Sequence, residues 1–229
     1  MTAPTSILLF AAGLGTRMGP LVADCPKPLV DVAGRTLLDR TLDLTHISAI
    51  KRRVVNVHYK AEMIRDHLRD STVIISDETD MLRETGGGLR HALPLLGGGP
   101  IITMNTDAVW SGRNPIVEIL NAWDPEMDAL LLLLPMAKTH GHIGKGDFEL
   151  CDTGRLTRGT KMIYSGLQII RPAILDEVAD SCFSMNVIWD KLIQRQSVFG
   201  CIYDGEWCDV GRPESIPLAT RLLAQSADV

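Results

Sequence analysis

Over the first 135 residues, apolar runs of strand length alternate with longer segments whose apolar residues recur at helical spacing. This alternation limits what the chain can fold into, because it is the pattern of a parallel sheet with helices on both faces. "SILLFAAG" reads as a first strand entering a glycine turn, and "TLLDRTLDLTHISA" as a helix carrying Leu37, Leu38, Leu42 and Leu44. "RRVVNVHY" is a second strand, and "KAEMIRDHLRD" a second helix with Met63, Ile64 and Leu68 on one face. "STVIISDE" is a third strand, and "GGLRHALPLL" a short helix broken by Pro94. "PIITMNTDAVW" is a fourth strand with polar residues at its end, "NPIVEILNAWD" a helix opened by proline, and "ALLLLLPM" a further buried strand. The fold class expected is α/β: a Rossmann-like, doubly wound, mostly parallel mixed sheet.

After residue 140 the texture changes to a small antiparallel C-terminal elaboration. "GDFELCDTGRLTRG" predicts short antiparallel strands turning at "DTG". "MIYSGLQII" is a strand, "RPAILDEVA" a helix, "SVFGCIYDGEWCDVG" a hairpin turning at "DG", and "PESIPLATRLLAQS" a closing helix. No repeat or low-complexity linker divides the chain, so one domain over 1–229 is expected. The net charge of −5 offers no global basic surface, which excludes nucleic acid and anionic lipid as partners; any anion site is local. Five cysteines without a CxxC pair read as reduced thiols of a cytoplasmic protein. "MTAPTS" lacks the basic residues of a signal peptide, and "ALLLLLPM" falls well below the roughly 20 residues that span a bilayer.

The local anion site has a candidate in "FAAGLGTRMGPLVADCPKPL", residues 10–29. Gly13 and Gly15 let backbone approach a ligand closely, and Arg17 and Lys27, ten residues apart, can grip a negative group from two sides. The turn follows the first strand, where ligands of open parallel sheets bind. Its spacing approaches a dinucleotide fingerprint, but the second strand ends in "VNVHYK" and lacks the acid that takes the ribose hydroxyls. A nicotinamide dehydrogenase is therefore disfavoured. The Gly-Lys-Ser/Thr of a Walker loop is also missing.

"GLGTR", a spacer and "PKP" together resemble the signature of sugar-1-phosphate nucleotidyltransferases. "ETGGG" at 84–88, "MNTDAVW" at 104–110 and "WCDVGRPES" at 207–215 agree in order and type, so the resemblance spans residue 6 to about 215. Within that family the chain looks most like N-acetylmuramate-1-phosphate uridylyltransferases, with mannose-1-phosphate guanylyltransferases as the neighbouring group. The resemblance implies a reaction between a nucleoside triphosphate and a sugar 1-phosphate that gives a nucleotide sugar and pyrophosphate. It makes about 1–135 the nucleotide-binding half and about 136–229 the sugar-phosphate half. Arg17 and Lys27 take the catalytic places, on the leaving pyrophosphate and the reacting phosphates. Ala12, Gly13, Gly15 and Thr16 lie under the triphosphate; Glu84, Thr85, Gly86 and Gly87 contact base and ribose. Asn105, Asp147, Ser165 and Gly166 are the implied substrate contacts, and Asp107 and Asp209 the ligands of Mg²⁺. For "ETGGG", a helix start capped by Thr85 is the alternative reading.

The chain departs from the family at Thr106, where glycine usually precedes the metal aspartate, and at Arg212, where a threonine is common. Thr106 keeps a second class of function open, a nucleotide-sugar-binding regulatory protein with weak turnover. GTP with mannose 1-phosphate, or CTP with a non-sugar phosphate, are the alternatives within the enzyme class. His140 and His142 read as loop residues rather than metal ligands, and Lys161 as a weak candidate for the sugar phosphate. A monomer is expected.

Overall fold

The computed structural model describes residues 3–227; the ends of the expected 1–229 span, at 1–2 and 228–229, lie outside the described residues. The chain runs β1 (Ser6–Phe10), β2 (Asp31–Val32), β3 (Arg35–Thr36), α1 (Leu37–Leu44), β4 (Arg52–Val57), α2 (Ala61–His67) and β5 (Ile74–Asp77). It continues through α3 (Glu84–Leu96), β6 (Ile101–Asn105), β7 (Ala108–Ser111), α4 (Pro115–Ala122), β8 (Ala129–Pro135), β9 (Thr139–His140), β10 (Phe148–Leu150) and β11 (Leu156–Arg158). It closes with β12 (Met162–Ile170), α5 (Met185–Gln194), β13 (Val198–Ile202), β14 (Glu206–Asp209) and α6 (Ser215–Ala227).

The main sheet is ordered β5-β4-β1-β6-β12-β8-β13, with β10 and β11 continuing from the first residue of β12. β5, β4, β1 and β6 are parallel, and β13 is parallel to β8. β12 runs antiparallel to both its neighbours, β6 and β8. The C-terminal part is thus no appendage: one of its strands lies inside the sheet. Reversal puts the amino end of β12 at the edge where β1, β4 and β6 have their carboxyl ends.

The uninterrupted apolar strands follow from burial on both faces. Leu130, Leu132 and Leu134 of β8 join one core cluster, while Ala129, Leu131 and Leu133 join another on the opposite face. β1 divides its side chains likewise, Ile7 and Leu9 against Leu8. Gln168 of β12 is a fully buried polar residue in this apolar sheet. Its Nε2 donates to Thr103 Oγ1 at 3.1 Å, and its Oε1 accepts from Trp189 Nε1 at 2.8 Å. Through it β6, β12 and α5 are joined.

A smaller sheet, β7-β14-β9, pairs β14 antiparallel to β7 and parallel to β9. The hairpin predicted over 197–211 is therefore corrected: β13 and β14 belong to different sheets. Tyr203 anchors the crossing between them, fully buried, its hydroxyl donating to the carbonyls of Ser111 and Arg113. A Cβ on Gly205 would lie 2.1 Å from Ser111 O, so "DG" serves a close crossing rather than a hairpin turn. The predicted β10–β11 pairing across "DTG" is present.

Other expectations need smaller corrections. α3 passes through Pro94 to Leu96, held on the sheet by buried Leu89, Ala92 and Leu96. Met63 is exposed while Ile64 and Leu68 are buried, so the α2 face is narrower than expected. The predicted fourth strand breaks at Thr106–Asp107 into β6 and β7. The helix expected at "RPAILDEVA" is a 3-10 segment, Pro172–Glu177. α5 is absent from the sequence expectations, although Met185, Ile188, Trp189 and Leu192 recur at helical spacing behind the Ser184 N-cap.

Replacing Gln168 with Ala is expected to destabilise the protein by about 2–4 kcal/mol, because it opens a cavity and strands the Trp189 N–H. Urea unfolding with an unchanged slope is the check; a loss below about 1 kcal/mol would show that the bridge is not structural.

Candidate functional site

The carboxyl ends of β1, β4, β5 and β6 open into one cavity of about 280 Å³. Its floor comes from Ala11 and Ala12 after β1, Asn56 on β4, Glu78 after β5, and Thr106 and Asp107 after β6. Gly13, Gly15, Thr16 and Arg17 form one wall with Lys27; Glu84 and Thr85 form another, and Asn105 also borders the space. Most of the residues named from sequence are therefore brought together by the topology.

The two halves of the glycine-arginine-lysine segment are fitted to each other. Gly15 adopts φ 65°, and a Cβ there would lie 2.9 Å from Lys27 Cβ. Lys27 sits between extended Pro26 and the 3-10 turn Lys27–Leu29 and is only 9 % exposed. Its Nζ lies 2.7 Å from Asp107 Oδ2. Tyr59 and Lys60, in the loop between β4 and α2 where a ribose acid was absent, donate to the carbonyls of Val22 and Ala23. They tether the segment between Arg17 and Lys27.

Asp107 and Asp209 are distant in sequence and adjacent in space. Asp209 is registered opposite Ala108 in the β7–β14 ladder, and Val210 N donates to Asp107 O at 2.8 Å. Burial pushes the Asp209 carboxyl above the usual carboxylate range, and the Asp107 charge pushes it further; Lys27, Arg17 and His142 act in the other direction. Asp209, whose ionisation is opposed in this way, and the neighbouring Asp107 are a fit donor set for a hard divalent cation, with phosphate oxygens and water completing the shell. Among the described residues no group of three or more His, Cys, Asp and Glu forms a self-sufficient metal site.

Three residues of the site carried no sequence expectation. Asn56 is buried, and its Oδ1 accepts from the amides of Ala11 (2.7 Å) and Ala12 (3.3 Å) while its Nδ2 donates to Glu78 Oε1 at 2.8 Å. The Ala12 amide is therefore engaged, and a phosphate cradle falls to the amides that follow it. Glu78 is 1 % exposed and its Oε2 has no hydrogen-bond partner. Burial pushes its carboxyl up, against the Asn56 hydrogen bond and the charges of His91 and Arg83. Gly211 is buried, and a Cβ there would lie 2.9 and 3.1 Å from the Asp209 carboxylate oxygens and 3.3 Å from Arg17 Nη2. A lone polar residue inside a buried strand was the available signal for Asn56, and an acid directly after a strand the one for Glu78.

Several expected contacts lie elsewhere. Gly86 and Gly87 do not line the cavity, and both amides donate to Phe183 O, at 2.9 and 3.0 Å. Thr85 does not cap its own helix; its Oγ1 accepts from Met185 N. Ser165 is buried with its Oγ accepting from Leu167 N, so its hydroxyl faces the β12 bulge. Gly166, at φ 87°, seats Asn105: a Cβ would lie 2.8 Å from Asn105 Nδ2. Asp147 is exposed and accepts from Tyr164 N, outside the cavity lining. Lys161 pairs with Glu149, and His140 with Glu206. Thr106 turns its hydroxyl to Phe10 O at 2.7 Å, tying the ends of β6 and β1 together.

Residues 7–143 match the model of the MobA-like NTP transferase domain. The chain is 37 % identical to the N-acetylmuramate alpha-1-phosphate uridylyltransferase of Caulobacter vibrioides, over 98 % of this chain and 99 % of the relative. It is 30 % identical to the protein of the same name from Neisseria meningitidis, over 89 % and 92 %. The fold matches the crystal structure of HddC from Yersinia pseudotuberculosis with a TM-score of 0.76 at 21 % identity, over 96 % of this chain and 99 % of that one.

Gly211→Ala is expected to weaken nucleoside triphosphate binding about tenfold, from the 1–3 kcal/mol cost of forcing Asp209 or Arg17 aside. Calorimetric titration measures this, and the unfolding midpoint should stay within a few degrees of the parent. Unchanged affinity would remove the Asp209–Arg17 contact zone from the site.

Proposed function

The chain belongs to the MobA-like NTP transferase family and is a sugar-1-phosphate nucleotidyltransferase; from that premise we propose that it transfers the uridylyl group of UTP to N-acetylmuramate 1-phosphate, with Mg²⁺ as cofactor. A phosphate oxygen of the sugar phosphate attacks the α-phosphorus in line, and pyrophosphate leaves with its bonding electrons. The nucleophile is already ionised at neutral pH, so no side-chain base is needed. The task is to position two polyanions and to balance the charge that builds on the leaving group.

The residues of this chain divide that task. The amides after Ala12 receive the triphosphate, the Lys27 ammonium neutralises the reacting phosphates, and the Arg17 fork meets the departing pyrophosphate. Asp107 and Asp209 would hold Mg²⁺, which supplies positive charge to the phosphate oxygens when bound.

Glu78 carries the choice of base. A protonated carboxyl presents one donor and one acceptor, which complements the N–H and carbonyl of a uracil imide edge; an ionised carboxylate only accepts, which suits the N–H pair of guanine. Burial favours the protonated form. Asn56 donates to Oε1, which leaves the buried, unpartnered Oε2 as the oxygen that carries the proton when the carboxyl is neutral.

Pyrophosphate release is the test, with Mg²⁺ and each of UTP, GTP, CTP and dTTP against N-acetylmuramate, N-acetylglucosamine, glucose and mannose 1-phosphates. Release chiefly with UTP and N-acetylmuramate 1-phosphate is expected. A preference for GTP with mannose 1-phosphate would replace this reading, and nucleotide binding without turnover across the panel would turn it toward a sensor. In the active pair, Lys27→Ala should lower turnover about 10²-fold or more.

Glu78→Gln, which keeps a donor and an acceptor, should retain UTP, while Glu78→Ala should raise its KM about tenfold. The raised carboxyl of Glu78 holds its proton above the ordinary glutamate range and loses it as pH rises further. UTP affinity should therefore fall as pH rises through that titration in the parent and stay flat in Glu78→Gln. A parent profile identical to that of Glu78→Gln would remove the protonated carboxyl from base recognition.

A further inference from the structure

The three glycines after Thr85 do not open toward the cavity; each admits a different neighbour. A Cβ on Gly86 would lie 2.4 Å from the Phe183 ring, one on Gly87 2.4 Å from Ser181 O, and one on Gly88 2.8 Å from Glu78 Oε1. The first turn of α3 is pressed between the Glu78–Asn56 pair on one side and the segment 178–185 on the other.

That segment leaves the main sheet after β12, so it belongs to the half of the chain expected to hold the sugar phosphate. It supplies α3 with the N-terminal acceptor that its own sequence lacks: Arg83, at the N-cap, makes no side-chain cap, and Phe183 O receives the amides of Gly86 and Gly87 instead. Phe183 N donates back to Arg83 O, and Met185 N to Thr85 Oγ1. Arg90 of α3 fastens the segment by donating to the carbonyls of Val178 and Asp180, with its guanidinium 4.8 Å from the centre of the Phe183 ring. Glu84, on the cavity wall, sits immediately before these contacts at φ 58°. A left-handed non-glycine residue is strained and persists only where its surroundings hold it.

We propose that the segment 178–185 is a positioning element of the nucleotide site: Phe183 and Arg90 hold Glu84 and Thr85 in the conformation that meets the base and ribose, without touching the nucleotide themselves. This rests on the nucleotidyltransferase reading above. It assigns the triple glycine to admitting the segment and the Glu78–Asn56 pair, in place of direct contact with the base.

The test compares four variants of the full chain: Gly86→Ala, Phe183→Ala, Gly86→Ala with Phe183→Ala, and Arg90→Met. UTP affinity is measured by calorimetry without acceptor, KM for each substrate by pyrophosphate release, and folding by thermal unfolding. Gly86→Ala should weaken UTP about tenfold by overpacking the turn, and leave the KM for the sugar phosphate within about twofold. Removing the Phe183 ring in the same chain should recover part of that loss, because the closest contacts of the added methyl, at 2.4 and 2.5 Å, are with the ring, while the Phe183 carbonyl at 2.9 Å stays. Phe183→Ala and Arg90→Met alone should each weaken UTP severalfold.

No recovery in the double variant would overturn the proposal, since the packing of the Phe183 ring against Gly86 would then not be what sets UTP affinity. So would unchanged UTP affinity in both Phe183→Ala and Arg90→Met, the pair that decides if Gly86→Ala fails to fold. If the parent binds a nucleotide other than UTP, the choice of base fails separately, and the same variants are read with the nucleotide it binds.

Discussion

Two carboxylates, Asp107 and Asp209, are forced together by the β7–β14 ladder, and the chemistry of the cavity edge answers to that constraint. Like charges at close range in a partly buried place oppose each other's ionisation unless cations face them. Lys27 does so at 2.7 Å from Asp107, and Arg17 beside Gly211. The lysine can be buried because its charge is matched, and two prolines and the Gly15 surface hold its stem in place. With two anions set against two cations, this edge of the cavity is near neutrality before any ligand enters, and Glu84 on the far wall adds a negative charge. A triphosphate brings several further negative charges, and this imbalance is the electrostatic reason for proposing Mg²⁺ at the two aspartates.

The reversed strand β12 brings the second half of the chain to the edge of the sheet where the cavity opens. A sheet of parallel strands alone gathers only their carboxyl ends and the loops beyond them. Inserting β12 antiparallel between β6 and β8 brings its amino end, with Ser165 and Gly166, to the same edge. Gly166 then seats Asn105 of β6, so a residue from the second half shapes a residue of the first. The later chain acts in the same manner twice more, through β14 on β7 and through Phe183 on α3.

Much of this was legible in sequence because it is local. The strand–helix alternation, the glycine turn, the lysine between prolines and the β10–β11 pairing depend on residues close in the chain. The aspartate pair was legible only through the family resemblance, since no spacing rule joins positions 107 and 209. What could not be read was long-range and decided by packing. β13 and β14 were separable from a hairpin only by Tyr203 reaching Ser111 and Arg113. α5 is the exception: its apolar period and Ser184 cap lay in plain sequence.

"ETGGG" shows why a motif can be placed correctly and still have its glycines misread. A glycine permits close approach, and the sequence does not say by what. Beside a nucleotide site the obvious approaching group is the ligand, yet Gly86, Gly87 and Gly88 are approached by Phe183, Ser181 and Glu78. At Gly15 the approaching group is again the protein, in the form of Lys27. The small residues let protein parts close on each other tightly enough to fix groups that border the cavity, among them Lys27, Glu78, and the rim at Glu84 and Thr85. A methyl group at Gly86, Gly87 or Gly88 would meet that internal fit first, at 2.4–2.8 Å from Phe183, Ser181 and Glu78.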